Sequence, residues 1–257
     1  MIFDTHAHYD DPQFDADRYE ILSGMADAGI GRIVNISADV PSWEKVLELT
    51  RQYPFVYGAL GVHPSDVDGL NEKTFSRLEA HIHDEKIVAV GEIGLDYYWE
   101  KDPARRENQR YWFRRQFALA RREHMPVVIH SREAAQETYE LLRDMHAEEL
   151  PVVIHCYSYT PEMAGRFLSL NCRFGIGGVL TFKNAKKLRE TAAMLPMESI
   201  LLETDCPYLA PEPNRGKRNS SMNLPYVVKA LAEIRGMSEE EIIEQTEKNA
   251  MTFYRLS

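Results

Sequence analysis

Residues 126–155 contain the same apolar run twice, as Val127-Val128-Ile129-His130 and as Val152-Val153-Ile154-His155. Neither run alternates apolar with polar residues, which is typical of parallel strands that are buried on both faces. The amphipathic pattern at 132–146, between the two runs, predicts a helix. A strand, a helix and a second parallel strand form the βαβ unit from which α/β folds are built.

The alternation of strand and helix extends along the whole chain. Helical patterns occur at 15–28, 42–52, 72–83, 104–123, 132–146, 161–169 and 184–194. The strands between them are predicted at 1–5, 32–37, 55–62, 87–93, 126–130, 152–155, 173–176 and 199–203. A Pro-rich loop at 206–223 and two helices at 224–235 and 238–254 follow. We therefore predict an α/β fold, a (β/α)8 TIM barrel forming a single domain over residues 1–257, with extra C-terminal helices.

The composition is that of a globular protein with an acidic surface. Of the 257 residues, 44% are hydrophobic and 27% are charged, and the formal net charge is −10. This charge disfavours a protein that binds nucleic acid by electrostatics alone, because such affinity normally comes from a basic surface. An enzyme that acts on phosphates is not excluded, since bound metal ions and a local basic cluster can reverse the sign at one site.

The sequence lacks the features of a membrane or secreted protein. No stretch of about 18 apolar residues occurs, and the first residues have neither the basic start nor the apolar run of a signal peptide. The three cysteines are too few and too scattered for a disulfide framework. We expect a cytoplasmic protein with no membrane partner and no obligate protein partner.

Residues that can bind metal ions lie at the same end of several predicted strands. Each has an ordinary structural explanation alone, such as a turn or a hydrogen-bonded histidine. In a barrel, however, the carboxyl ends of all strands meet at one mouth, where active sites of this fold are found. These residues are His6 and His8 after the first strand, Glu92, His130 and His155 at the ends of the fourth to sixth, and Asp205 after the eighth.

This residue set predicts a site for one or two divalent ions. The spacing of His6 and His8 places both imidazoles on one side of a strand. Nitrogen-rich ligation favours Zn, Mn, Fe or Co over Mg, although it does not exclude Mg.

The motifs that carry these residues resemble those of the TatD family of metal-dependent hydrolases, and they occur in order along essentially the whole chain. They are Asp4-Thr5-His6-Ala7-His8, Gly61-Val62-His63-Pro64, Gly91-Glu92-Ile93-Gly94-Leu95-Asp96-Tyr97, Val128-Ile129-His130-Ser131-Arg132, Ile154-His155-Cys156 and Glu203-Thr204-Asp205-Cys206-Pro207-Tyr208-Leu209. The resemblance implies a TIM barrel, a divalent-metal centre and deoxyribonuclease activity, often as a 3′-5′ exonuclease. At Tyr159 the sequence departs from the family, which commonly has a glycine there, and this bears on substrate choice.

The resemblance also implies a ligand set, carried over onto the matching positions. The expected cofactors are two divalent metal ions, Zn, Mn or Mg, with Glu92 as the bridge between them. One ion would be held by His6, His8, Glu92 and Asp205, and the second by Glu92, His130 and His155.

The predicted reaction is hydrolysis of a DNA phosphodiester by a water molecule that two divalent ions activate. Two ions lower the pKa of a shared water and bind the phosphoryl oxygens. They bring four positive charges against two negative ones from Glu92 and Asp205, so that the site is positive within an acidic protein. We assign Glu92 and Asp205 as catalytic residues and expect Asp205 to take a proton from the attacking water.

Five basic residues are assigned to the phosphates of a DNA or nucleotide substrate. Loops after the last strands of this fold frequently hold phosphate, and an arginine presents a planar fork that matches its oxygens. A merely solvated loop is the alternative for the cluster at 215–218. The five are His63, Arg132, Arg215, Lys217 and Arg218.

Two other functions stay open on the sequence. One is an amide, ester or lactone hydrolase acting on a small substrate, against which the basic loop argues. The other is a non-catalytic, metal-stabilised binding factor, which would not need such a complete ligand set. The aromatic residues Tyr97, Tyr98 and Trp99 either stack a nucleotide base or pack their loop against the barrel rim.

Overall fold

A computed structural model describes residues 1–256 of the chain. Eight strands lie in one sheet in the order of the chain, and the described neighbours pair in parallel. This strand order, with helices between the strands, confirms the predicted (β/α)8 barrel class. The strands are β1 (Ile2–Ala7), β2 (Ile30–Ile36), β3 (Val56–Leu60), β4 (Ile87–Asp96), β5 (Val127–Arg132), β6 (Val152–Ile154), β7 (Arg173–Ile176) and β8 (Ile200–Leu202).

Helices connect the strands, and two more follow the last strand as predicted. Their starts are encoded locally, since the Asp102 carboxylate accepts the Ala104 N–H at 2.8 Å and Ser238 forms a capping box with Glu241. The helices are α1 (Arg18–Ser23), α2 (Ser42–Gln52), α3 (Glu72–His81), α4 (Pro103–Arg122), α5 (Ala135–Asp144), α6 (Pro161–Ser169), α7 (Lys186–Met194), α8 (Leu224–Arg235) and α9 (Glu239–Phe253).

Several element bounds differ from those predicted. The strands β4 and β5 continue pairing as far as Asp96 and Arg132, which lie opposite each other. As a result, Glu92 and His130 lie inside strands and not at their ends. The first helix covers only residues 18–23, because a short 3-10 turn precedes it and turns follow it.

The residues group into two compact units, and the first comprises residues 1–35, 156–164 and those from 174 onward. Within it β1 pairs with β2 and β7 with β8, and Ala7 bridges to Cys206 after β8. The C-terminal helix α9 and the residue that follows it, Tyr254, fix this arrangement through two hydrogen bonds. The Asn249 side-chain N–H donates to the Ile200 carbonyl at 2.8 Å, and the hydroxyl of Tyr254 donates to the Thr5 carbonyl at 2.9 Å.

The second unit comprises residues 36–155 and 165–173, with β3 to β6 and the helices that follow them. Buried polar side chains hold the end of β3. The Trp43 indole N–H donates to the Gly61 carbonyl at 2.9 Å, and the Gln116 amide bonds both the N–H and the carbonyl of Val62. The backbone just before His63 is therefore fixed. The assignment of the whole chain to a single domain stays a prediction.

Among residues 1–256, no helix has both the length and the apolar character needed to cross a membrane.

Candidate metal centre

The first candidate ligand cluster, which we call the β1 cluster, consists of His6, His8 and Asp205. The Nε2 atoms of His6 and His8 lie 3.1 Å apart. The Asp205 Oδ1 lies 3.4 Å from the Nε2 of His8 and 3.7 Å from that of His6. Both imidazoles are buried, whereas the Asp205 side chain is 19% exposed. Two nitrogens and a carboxylate oxygen thus converge, with one side open to solvent.

The backbone of Asp205 is held in an uncommon conformation that directs its side chain. Its φ is +57°, the left-handed region that few residues other than glycine, Asn and Asp adopt. The Asp205 N–H donates to the His6 carbonyl at 2.9 Å, and the Asp205 carbonyl accepts from the Tyr208 N–H at 2.9 Å. Such conformations concentrate at functional sites, where the surrounding structure fixes them.

A buried carboxylate that the sequence did not single out supports this cluster. Asp4 is fully buried and accepts hydrogen bonds from the hydroxyls of Thr204 at 2.7 Å and Ser221 at 2.6 Å. It also accepts from the N–H groups of His6 and Thr204. Burial raises the pKa of Asp4 to about 7, although these hydrogen bonds oppose the shift. Asp4 therefore ties β1 to the segment before Asp205 and to the loop at 206–223.

The second candidate cluster, the β4 cluster, consists of Glu92, His130 and His155. The Oε1 atom of Glu92 lies 2.7 Å from the Nδ1 of His130 and 2.8 Å from the Nε2 of His155. Glu92 and His155 are buried. One carboxylate oxygen therefore faces two imidazole nitrogens from different strands.

Asp96 is a further residue of this region that the sequence did not single out. Its Oδ2 lies 3.0 Å from the Nε2 of His130, so that His130 stands between two carboxylates. Burial opposes the charged form of His130, but hydrogen bonds to Asp96 and Glu92 outweigh it and raise its pKa. A carboxylate on the far nitrogen of a metal-binding histidine fixes the orientation of the ring. Asp96 is in the position to do this for His130.

His63 lies beside the β4 cluster, with its ring centroid 4.2 Å from that of His130. It belongs to a group with Glu92 and His130 whose ligand atoms all lie within 4.8 Å of one another. However, its Nδ1 accepts the N–H of Ser65 at 3.1 Å. Burial and the neighbouring His130 lower the pKa of His63 to about 3, so the ring is neutral and its proton lies on Nε2. A protonated Nε2 is a donor and not a metal ligand.

The β1 cluster meets the geometric requirements of a divalent-metal site, because its three ligand atoms all lie within 4.8 Å of one another. Ligand atoms that are each about 2.1 Å from one ion lie about 3.0–3.5 Å from one another. The distances in the β1 cluster, from 3.1 to 3.7 Å, are close to this range. The two distances from the Glu92 carboxylate in the β4 cluster, 2.7 and 2.8 Å, are those of hydrogen bonds. Imidazole and carboxylate together suit Zn, Mn, Fe or Co. The residues present therefore fit the ion type predicted.

The predicted substrate-binding residues differ in whether a carboxylate pairs with them. Arg218 donates to the Asp17 carboxylate at 2.9 Å and to the Gln13 carbonyl, so its guanidinium anchors the loop to the start of α1. Arg215 lies over the Phe182 ring at 4.2 Å. Arg132 is exposed and lies 4.1 Å over the Tyr98 ring, and Lys217 is exposed. Arg132, Arg215 and Lys217 thus have no carboxylate partner among the contacts described.

Known proteins are similar to this chain over nearly its whole length. The family model described as "TatD related DNase" matches residues 3–255. The "Uncharacterized metal-dependent hydrolase YabD" of Bacillus subtilis is 37% identical over 257 residues, covering 100% of both chains. The "3'-5' ssDNA/RNA exonuclease TatD" of Pantoea vagans is 31% identical over 262 residues, again covering 100% of both.

A solved structure agrees with this result. YjjV from Escherichia coli K12, described as a TatD homolog, superposes with a TM-score of 0.93 at 32% identity, covering 100% of this chain and 98% of the other.

Proposed function

The chain belongs to the TatD related DNase family of metal-dependent hydrolases, and we propose that it is a deoxyribonuclease which removes nucleotides from the 3′ end of single-stranded DNA. The observation that carries the proposal is the pair of histidine–carboxylate clusters. These clusters combine several neutral imidazole nitrogens with few carboxylates, which would leave a metal-loaded site positive and suited to a phosphodiester anion. The 3′-5′ polarity follows the name of the Pantoea vagans relative, a 3′-5′ ssDNA/RNA exonuclease.

We propose that each cluster holds one divalent ion. The β1 cluster of His6, His8 and Asp205 would hold one ion, and the β4 cluster of Glu92, His130 and His155 would hold the other. The basis is the donor chemistry of each cluster, in which imidazole nitrogens and a carboxylate oxygen converge. Divalent ions held there would acidify a bound water and neutralise charge on the phosphate.

The protein's own groups then have distinct roles. Asp205 has the partly exposed carboxylate of the β1 cluster, so it can take a proton from the attacking water and pass it to solvent. The Nε2–H group of His63 donates a hydrogen bond to a phosphate oxygen, since its Nδ1 accepts the N–H of Ser65. Arg132, Arg215 and Lys217 contact phosphates of the strand outside the scissile bond. The enzyme would act in the cytoplasm without an obligate protein partner.

The exchange Asp205→Asn tests the proposed role of Asp205. The amide keeps the shape of the side chain but cannot accept a proton, so we expect kcat on single-stranded DNA to fall about 10²- to 10⁴-fold. Asp27→Asn, which changes an exposed aspartate of the same unit, is the matched control and should leave kcat unchanged. Metal content is measured on both variants, so that a lost ion is distinguished from a lost base. Near-normal turnover of Asp205→Asn would remove this residue from the reaction.

A further inference from the structure

Two large aromatic side chains lie exposed directly after β4. Trp99 is 68% exposed and Tyr98 is 45% exposed. Their rings meet edge to face, with centroids 4.7 Å apart and planes at 87°. Exposed tryptophan is unusual, because burying its large ring is strongly favourable. A pair of such rings at the surface is therefore a candidate contact for a ligand.

The backbone under these rings is fixed, although the rings are exposed. The Oδ1 of Asp96 accepts the N–H groups of both Tyr98 and Trp99 at 3.0 Å. The Tyr97 N–H donates to the Arg132 carbonyl at 2.8 Å, and the Tyr97 carbonyl accepts from the Lys101 ammonium. A segment held in this way loses little conformational entropy when a ligand binds.

Two cationic side chains, Arg132 and Lys101, lie close to the two rings. The guanidinium of Arg132 lies 4.1 Å from the Tyr98 ring centroid and 5.7 Å from that of Trp99. The Lys101 ammonium lies 5.9 Å from the Tyr98 ring. Aromatic rings interleaved with cations are typical of surfaces that bind single-stranded nucleic acid, because rings stack on bases and cations contact the backbone.

One side chain connects this surface to the β4 cluster. Asp96 holds the amides of Tyr98 and Trp99 with its Oδ1, and its Oδ2 lies 3.0 Å from the Nε2 of His130. The rings are thus positioned by the same carboxylate that orients a candidate metal ligand. A base that stacks on them would belong to a nucleotide near the bond that is cleaved.

We propose that Tyr98 and Trp99, together with Arg132, form a stacking platform for a base adjacent to the scissile phosphodiester. The inference rests on the proposed nuclease function and adds a reason for a single-stranded substrate. A base within a duplex has both faces covered by its neighbours, whereas an unpaired base can leave the stack and lie on a ring. The platform is indifferent to base identity, because every base has a face that stacks.

Binding to the metal-free protein tests the platform separately from cleavage. The other tryptophans, Trp43 and Trp112, are buried, so a change of tryptophan fluorescence on adding DNA reports mainly on Trp99. We expect a short single-stranded DNA to quench this fluorescence and the same sequence as a blunt duplex to quench it much less. Absence of quenching by single-stranded DNA would overturn the platform, whether or not the metal-loaded enzyme cuts DNA.

Variants then identify the rings involved. Trp99→Ala and Tyr98→Ala should each weaken binding of single-stranded DNA to the metal-free protein, and raise KM of the metal-loaded enzyme, by about tenfold. Trp99→Phe should restore most of the loss. Tyr111→Ala is the control, since Tyr111 is 46% exposed on α4 of the same unit but lies outside the loop. Equal affinities of Trp99→Ala and Tyr111→Ala would refute the platform.

A modified substrate separates stacking from a general loss of affinity. An oligonucleotide with an abasic residue at its 3′ end offers the phosphates but no terminal base. The wild-type protein should bind it about as weakly as Trp99→Ala binds the intact strand, and Trp99→Ala should not bind it more weakly still. Quenching and variant effects without any cleavage would support the platform and count against the proposed nuclease.

Discussion

At the scale of single residues, His63 shows how a hydrogen bond decides between two roles. Its motif and its distance to Glu92 and His130 are compatible with a metal ligand. The Ser65 N–H on Nδ1 leaves the ring proton on Nε2, and the pKa of about 3 keeps the ring neutral throughout the physiological range. The structure thus favours a neutral hydrogen-bond donor that is suited to a phosphate oxygen.

Replacement of His63 by alanine should therefore reduce activity without removing metal. The loss of one hydrogen bond to a charged oxygen is expected to lower kcat/KM about 10- to 100-fold. Because burial lowers the pKa of His63 to about 3, the acidic limb of the pH–rate profile should keep its midpoint. His83→Ala, at an exposed histidine of the same unit, is the control. Loss of bound metal in His63→Ala would show that the residue is a ligand after all.

The histidines and carboxylates of the two clusters could be named from the sequence, but the groups that hold them in place could not. Asp4 and His6 lie two residues apart in β1, and His8 follows at the same spacing just after the strand, so the sequence indicates a row of polar side chains on one side. The partner of Asp4, Ser221, lies 217 positions further along the chain, and no local pattern connects them. Asp96 follows Glu92 at an even spacing, but the length of β4 had to be known before the two could be placed on one side.

At the scale of elements, hydrogen bonds from Asn219 hold the backbone of the loop at 206–223 in place. The side-chain N–H group of Asn219 donates to the carbonyls of Thr204 and Tyr208, at 3.1 and 2.8 Å, and its N–H donates to the Pro207 carbonyl. Arg218 fastens the same loop to Asp17 before α1. Within the basic cluster, Arg218 therefore has a structural role, whereas Arg215 and Lys217 are exposed and can contact a ligand.

Removing charge at two positions of this loop should have different consequences. Arg215→Ala is expected to raise KM for single-stranded DNA and to reduce the slope of log affinity against log salt by about 0.7, the contribution of one phosphate contact. Arg218→Ala should mainly lower the melting temperature, because it releases the contact with Asp17. Asp17→Ala should reproduce the effect of Arg218→Ala. An unchanged salt slope in Arg215→Ala would assign Arg215 to the solvated surface.

The element bounds show where local sequence patterns stop being informative. The apolar run of β4 ends at Ile93, but the strand continues through Gly94 to Asp96 because β5 offers partners as far as Arg132. A backbone hydrogen bond to a neighbouring strand leaves no signal in side-chain hydrophobicity. The helix α1 is shorter than predicted because its amphipathic pattern also covers residues that form turns.

At the scale of the whole molecule, the order of strands was predictable because each βαβ unit has its own pattern of apolar residues within a short stretch of sequence. Eight buried apolar runs separated by helical patterns leave few alternatives to a barrel, and the sheet has that order. The grouping of residues into two compact units was not predictable, since it depends on packing between segments far apart in the chain. The net charge of −10 likewise does not show where the charged side chains lie. In the structure, two cationic side chains lie close to Tyr98 and Trp99.

The central claim, metal-dependent removal of nucleotides from single-stranded DNA, is tested most directly by one incubation. Metal-stripped protein receives Mg, Mn or Zn and a single-stranded oligonucleotide labelled at its 3′ or its 5′ end, beside Glu92→Ala as the inactive control. We predict that the 3′ label is released first and that the 5′-labelled strand gives a ladder, only with metal and only in the wild type. Intact strands with every ion, although metal is bound, would contradict the account.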